Sequence, residues 1–532
     1  MKKLLTWILL AVLTLGVSVL GFGCAGPVDP DDDSKPPLED VTVRDELKET
    51  TIRILLPAVT TTINDHVNVT KAINNQLLKD GKPYQVHIEY AADSNYSITM
   101  EDKAKEGYDM AWSHVDNVQE LISKEVIKTN LMPYMEKWGQ RILEEVPQYA
   151  FDQFTDYETG GLSAIPRHMP SADDRSRLLV RKDWMEDAGI TEIKDIQTLD
   201  RYLNAIENRF GGTAGFYALF PEYGNVHLLR EIAPTFYFPC GSDTYPIYVD
   251  VTDPNLEVKN FLTTREFTTW VNKCRSYVTA GLAPSDPGSN RSDNMFNAGL
   301  TGAIADYSVV KLSERVLSFK QNQPGGELYD VFFESETNKK WVMRGSDNCM
   351  VVLSNSQNVE EVMDFISWTK NQENHDLVTL GVYGENYYLT ENGRITFTNP
   401  EDPSETIPEN KRFCVNAPYW AYNDITYQRW SEHISDEWIE ETVNWEMNDE
   451  NGNPVNYNVS PLNGFNIYPS NEYKIAFQKV SDKMSMMATL LQGRVDPSEI
   501  SKMVEETNAN GMQDLIDEVQ RQIDAFLASK NA

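Results

Sequence analysis

The stretch from Thr51 to Val126 constrains the fold most, because its apolar pattern switches regularly between the strand and the helix period. In "TIRILLP", Ile52, Ile54 and Leu56 share one face of a strand. A polar loop, "AVTTTIND", leads into a helix from about Asp65 to Lys79. "YQVHIEYA" alternates Val86, Ile88 and Tyr90 as a second strand, and "SITMEDKAKEG" is a short helix. "YDMAW" then reads as a third strand and "NVQELISKEV" as a further helix. Strands separated by helical crossovers pair in parallel, with right-handed connections, so this order predicts an α/β fold around a parallel sheet.

That sheet type fixes where a ligand would collect, since open α/β sheets bind outside the carboxyl ends of their strands. The predicted ends are Ala58–Thr62, Ala91–Asn95 and Trp112–His114. They offer the hydroxyls of Thr60, Thr61, Thr62 and Ser113, the indole of Trp112 and the imidazole of His114. No strand-to-helix turn carries a glycine-rich phosphate cradle.

Further along, "LSAIPRHM" and "RLLVRKDWMEDAGI" read as two strands, the second entering a helix. "TLDRYLNAIENRF" is amphipathic through Leu199, Leu203 and Ile206. "REFTTWVNKCRSYVTAGL" is another helix, and "GLTGAIADYS" is a small-residue strand ending at Asp306. "CMVVLS" is an apolar strand before the helix "NVEEVMDFISWTKN", and Asn392-Gly393 suits a tight hairpin turn. Trp430, Trp438 and Trp445 recur at spacings compatible with one helix face, read as core. Near the C-terminus Asp496 is an N-cap candidate with Pro497 and Glu499 behind it. Asn510-Gly511 interrupts that helix. Met512, Leu515, Ile516, Val519, Ile523, Phe526 and Leu527 then form a stripe expected to pack on the body.

Charge removes whole classes of function. With 47 basic against 81 acidic residues the formal net charge is −34, which repels nucleic acid and anionic headgroups. The five cysteines, Cys24, Cys240, Cys274, Cys349 and Cys414, form no CxxC pair, and one or two disulfides or buried thiols are equally open. The seven histidines make no HExxH, and GxSxG does not occur. "NDENGNP" is rich in oxygen donors but lacks the spacing of an EF-hand loop. Neither a metal site nor a cofactor is expected.

At the N-terminus Lys2 and Lys3 precede the uncharged run Leu4–Phe22, and Cys24 follows directly. The run is about 19 residues, close to the roughly 20 that span a bilayer. It resembles a bacterial lipoprotein signal, in which Cys24 would become the lipid-bearing first residue of the mature chain. A plain cleaved signal and a retained anchor helix are the other readings; all three put the body outside the cytoplasmic membrane. Residues 24–47, with Asp29, Asp31, Asp32, Asp33 and four prolines, read as a solvated tether.

Several stretches together resemble one family. "GYDMAWSHVDNVQELISKEVIKTNLMPYMEKWG", "SAIPR" with "RLLVRKDWMEDAGI", "MFNAGLTGAIADYS" and "GVYGENYYLTENGRI" are similar to segments of the extracellular solute-binding lipoproteins of ABC importers, family 1 type. The ending "LLQGRVDPSEISKMVEETNANGMQDLIDEVQRQIDAFLA" resembles that of a longer sugar-uptake subgroup. The resemblance implies a two-lobed, periplasmic-binding-protein-like (type II) α/β fold with interleaved lobes and a helical C-terminus. It implies a signal over 1–23, a tether over 24–47, an N-lobe from 48–166 plus about 300–355, and a C-lobe from 167–299 plus about 356–532. It also implies a monomeric, lipid-anchored receptor subunit on the outer face of the membrane. That receptor would close on a ligand in its cleft and dock on a permease driven by a separate ATPase.

Sugars present hydroxyls around apolar ring faces, so a saccharide site needs an aromatic platform with charged or amide partners. Trp112 is the expected platform, with Ser113, His114 and the Thr60–Thr62 hydroxyls beside it. Asp306 and Tyr307 end another strand, Arg167 lies at the expected crossover, and Arg344 follows Trp341. Each also has a structural reading: core indole, turn hydroxyl, ion pair. Two other functions stay open at this stage, a surface glycoside hydrolase and a polysaccharide-binding scaffold.

Overall fold

The computed structural model describes residues 38, 41–58, 63–167, 178–220, 226–240, 246–285, 292–305, 312–331, 340–413, 424–443 and 457–531. Three strands and two crossover helices appear where the apolar periods put them. Thr50–Ala58 pairs in parallel with Tyr84–Ala92 on one side and with Met110–His114 on the other. The connecting helices are His66–Lys79 and Tyr96–Lys105. Thr50–Ala58 is a central strand, and Ile52, Ile54, Leu55 and Leu56 are all fully buried, so both of its faces are covered. Tyr84–Ala92 lies at the sheet edge and keeps its alternation, with Val86 and Ile88 buried and Gln85 and His87 exposed.

Two more strands complete this first sheet, in the order 84–92, 50–58, 110–114, 348–352, 165–166; 348–352 runs antiparallel to both of its neighbours, so 165–166 runs in the direction of the first three. A second sheet runs in the order 328–331, 178–181, 301–305, 217–220. Its Thr301–Ala305 strand needs small residues: a Cβ on Gly302 would lie 2.2 Å from Ile206 Cδ1, and the Tyr202 hydroxyl donates to the Gly302 carbonyl at 2.8 Å. A three-stranded sheet, Phe236–Tyr237, Ile247–Asp250 and Val258–Asn260, belongs to the same body.

Each body has its own core. The first unites residues of 52–165 with those of 349–368, and the second unites 178–283 with 462–523. The chain therefore passes between bodies repeatedly, and two expected boundaries are corrected. The segment 300–355, expected in the N-lobe, is divided: strands 301–305 and 328–331 join the second sheet, and only 348–352 joins the first. The helix Val359–Trp368, expected in the C-lobe, buries Val362, Met363 and Phe365 in the first core. Strand and helix periods identify an element but carry nothing about which sheet it joins.

The tether is corrected as well. Its end is docked: Val41, Val43 and Leu47 pack on the first core. The Arg44 guanidinium reaches Glu360 Oε2 at 2.8 Å and Glu361 Oε2 at 2.6 Å. The C-terminal stripe packs as expected, with Met512, Leu515, Val519 and Ile523 buried in the second core behind Gly511 at φ 103°. Asp496 caps a 3-10 turn, accepting from the Ser498 amide at 3.0 Å, just ahead of the helix Ile500–Ala509. Trp430 and Trp438 are core residues, but only Trp438 lies in the helix Asp436–Val443. Trp445 and Cys414 fall outside the described residues, and Cys240, Cys274 and Cys349 are free thiols.

Candidate functional site

At the carboxyl end of the first sheet two strands stop where the antiparallel strand between them starts. His114 ends Met110–His114 and pairs with Asn348, the first residue of the antiparallel Asn348–Val352 strand. The Arg167 amide donates to the Asn348 carbonyl at 3.1 Å, one residue past Ile165–Pro166. The Val115 amide donates to the Asp347 carbonyl at 3.0 Å, which stitches the turn after His114 to the incoming crossover. Residues far apart in sequence, 112–116, 167 and 344–348, therefore share one edge.

Trp112 is half-buried and sits edge-to-face with Tyr96, ring centroids 5.6 Å apart. The Tyr96 hydroxyl accepts from the Trp112 amide at 3.0 Å and donates to the Leu55 carbonyl at 2.9 Å. Burial pushes the Tyr96 phenol up, so it keeps its proton and serves as a fixed strut behind the indole's backbone. Ser113 points the other way, as period-two alternation requires. It is 1% exposed, its hydroxyl donates to the His114 carbonyl at 3.1 Å, and it faces the sheet interior rather than the edge.

His114 is over a third exposed, and its Nδ1 lies 3.3 Å from both the Asp116 amide nitrogen and Asp116 Oδ2. A lone pair on Nδ1 serves the amide and a proton serves the carboxylate, so either tautomer is held in place. Asp116 also accepts from the Arg344 guanidinium in a close ion pair. Burial pushes the Asp116 carboxyl up, but the Arg344 charge and the His114 contact outweigh it and hold the group below the usual carboxylate range. The pair therefore stays charged through the ordinary carboxylate range and is lost only under stronger acid. The Arg344 guanidinium lies 5.9 Å from the centre of the Tyr237 ring, whose strand belongs to the second body. Tyr237 is anchored in turn, donating to the Phe465 carbonyl at 3.0 Å. Asp116, Arg344 and Tyr237 thus carry a contact from the first sheet to the second body.

Arg167 makes a buried ion pair. Its Nη2 lies 2.7 Å from both Asp347 oxygens, and the two side chains are 3% and 11% exposed. Its Nε and Nη1 are buried and make no hydrogen bond among the described residues. The backbone between Arg344 and Asp347 is fixed by close approach: a Cβ on Gly345 would lie 1.9 Å from the Tyr149 carbonyl oxygen, so only glycine fits there. The Gly345 amide donates to Gln153 Oε1 at 3.3 Å.

Of the residues read from the sequence, the edge brings together Trp112, His114, Arg167 and Arg344. Thr60, Thr61, Thr62, Asp306, Tyr307 and Cys24 lie outside the described residues. Asp116 and Asp347 were missed, although "WSHVD" and "RGSD" hold each within three residues of a residue that was picked. Burial pushes the Cys240 thiol up to about 12, and Cys349 is raised by the same cause, so neither is a thiolate nucleophile at neutral pH. Among the described residues no group of three or more His, Cys, Asp or Glu is placed to hold a metal. No helix of the described residues is long and apolar enough to cross a membrane.

Comparison with known proteins adds to this geometry. A domain of unknown function, DUF3502, matches residues 461–528, the C-terminal helices. A search of curated proteins found no match. Among solved structures, the N-glycan transport solute binding protein NgtS from Streptococcus pneumoniae is similar at 17% identity, over 90% of this chain and 100% of that one, with a TM-score of 0.67. An HMO-binding, ABC-transporter-associated solute binding protein from Bifidobacterium longum infantis is similar at 15% identity, over 90% and 99% of the two chains, with a TM-score of 0.59. The alginate-binding protein AlgQ2, solved without calcium ion, is similar at 15% identity, over 90% and 98%, with a TM-score of 0.60. At this identity the likeness carries the fold.

Proposed function

We propose that this chain, whose fold is that of ABC-transporter solute-binding proteins, is the ligand-capturing receptor subunit of an importer for an oligosaccharide. It binds the sugar without transforming it and delivers it to a membrane permease powered by a separate ATPase. The observation that carries this reading is the meeting of Trp112, His114 and the Asp116–Arg344 pair at the carboxyl end of the first sheet, with Tyr237 of the second body against Arg344. An indole supplies an apolar face for a sugar ring, a carboxylate accepts from hydroxyls, and a guanidinium donates to them. Groups from two bodies at one place let a ligand favour their approach, because it binds that arrangement better than any other.

The test is a fluorescence titration of the wild-type chain with soluble oligosaccharides, each recovered afterwards and weighed by mass spectrometry. Saturable binding with unchanged ligand is expected, weakened at least tenfold by Trp112→Ala in a chain whose thermal unfolding is still cooperative. Shortened sugars would make the protein a glycoside hydrolase, and binding of polymer alone would make it a scaffold; either result sinks the receptor reading.

The body works on the outer face of the cytoplasmic membrane, held by two acyl chains on Cys24, an anchor that burial of roughly 0.8 kcal/mol per CH₂ makes stable. Cys24→Ala is expected to leave the chain unlipidated and to remove it from the detergent phase on partition. A variant still membrane-bound at unchanged mass would show that the Leu4–Phe22 run is retained as the anchor instead.

A further inference from the structure

The receptor reading leaves the charge of the sugar open. Two guanidiniums stand at the edge where the ligand would lie, and each has a carboxylate of its own: Arg344 with Asp116, and Arg167 with Asp347. Among the described residues, each guanidinium already faces a carboxylate.

We propose that the site selects uncharged oligosaccharides and rejects those bearing carboxylates, and that Asp116 is the residue that sets this preference. The proposal rests on the saccharide-receptor reading above. Asp116 is 37% exposed against 14% for Arg344, so of this pair the more accessible member at the edge is the carboxylate. An approaching uronate would meet that negative charge before reaching the guanidinium, and would lose hydration without finding an unmatched cation among the described residues. A neutral sugar meets no such opposition. Its hydroxyls donate to the carboxylate and accept from the guanidinium, so the ion pair acts as a matched donor–acceptor couple. The net charge of −34 adds repulsion of anions at longer range.

The experiment titrates the wild-type chain with a neutral set, manno-oligosaccharides and chito-oligosaccharides, and an acidic set, alginate oligomers of matched length, at low and at physiological salt. The same titrations are run on Asp116→Asn and Asp347→Asn, which keep side-chain shape and remove the carboxylate charge facing Arg344 or Arg167. Wild type should bind a member of the neutral set at least tenfold more tightly than any acidic one. Asp116→Asn should gain at least tenfold for acidic oligomers, and the gain should shrink with salt. Asp347→Asn, at the buried pair, should gain less. Wild type that binds the acidic set as tightly as the neutral set overturns this inference and leaves the receptor reading intact. Neutral binding by wild type with no acidic gain in Asp116→Asn overturns the role of Asp116. No binding of either set fails the saccharide-receptor reading itself.

Discussion

Lys370→Met is expected to destabilise the folded chain by about 3–5 kcal/mol, the range for removing one partner of a buried ion pair. Lys370 and Asp424 are 8% and 1% exposed, so methionine leaves the Asp424 carboxylate in a dry interior with its counter-charge gone. Asp424 also takes part in hydrogen bonds with neutral groups: Oδ1 accepts from the Thr426 amide at 2.9 Å, and its own amide donates to His375 Nε2 at 3.2 Å. The Lys370 carbonyl meanwhile accepts from Arg141 Nη1 at 2.9 Å and from the Tyr427 hydroxyl at 3.1 Å, and Tyr427 also reaches Glu145 Oε1 at 2.9 Å. This network holds the turn at 424–427 on the first body. The chain then runs on to Trp430 and Trp438, which are packed with Leu179 and Ile304 of the second sheet. Loss of the pair should therefore lower the denaturant midpoint and loosen a junction between the bodies. Adding Asp424→Asn removes the stranded charge and should recover most of the loss. A single variant with the wild-type midpoint would mean that Asp424 is not buried as described.

Arg44→Ala is expected to cost about 3 kcal/mol, toward the lower end because Arg44 is itself a third exposed. Two adjacent carboxylates depend on it. Glu360 and Glu361 are 4% and 0% exposed on the first turn of Val359–Trp368, where the helix dipole offsets only part of their charge. The Arg44 amide donates to Glu360 Oε1 at 2.8 Å and the Lys48 amide to Glu361 Oε1 at 2.7 Å, so backbone as well as side chain is committed. Trp138 Nε1 donates to the Arg44 carbonyl at 3.3 Å from the neighbouring helix Met132–Trp138. Chemical denaturation reads the loss, and limited proteolysis should show cleavage opening up near residues 41–48. Pairing Arg44→Ala with Glu361→Gln should return part of the stability. An unchanged midpoint, with the arm cut as readily in the wild-type chain as in the variant, would refute the docking, and the segment would be part of the solvated tether.

Local patterning made a large part of this molecule legible. The first three strands and their two helices follow from apolar periods alone, since burial of a strand or helix face acts over a few residues. The strand ends placed Trp112 and His114 at an edge for the same reason. Ser113 was legible too, and was misread: alternation turns it away from its two neighbours. The Asn392-Gly393 turn, with Gly393 at φ 72°, is fixed by backbone sterics within the hairpin itself.

By itself, then, the sequence determined the first three strands and their crossover helices, that the first sheet begins as a parallel one, and which aromatic stands at its edge. Only the tertiary structure decided that 301–305 and 348–352 belong to different sheets, that Arg44 lies on Glu360 and Glu361, and that Arg167 and Arg344 are matched by Asp347 and Asp116 across 180 and 228 residues of chain. The physical reason is range. An apolar period is set by neighbours on one element, whereas a charge takes its partner from whatever the folded chain brings within a few ångströms, and no local spacing encodes that choice.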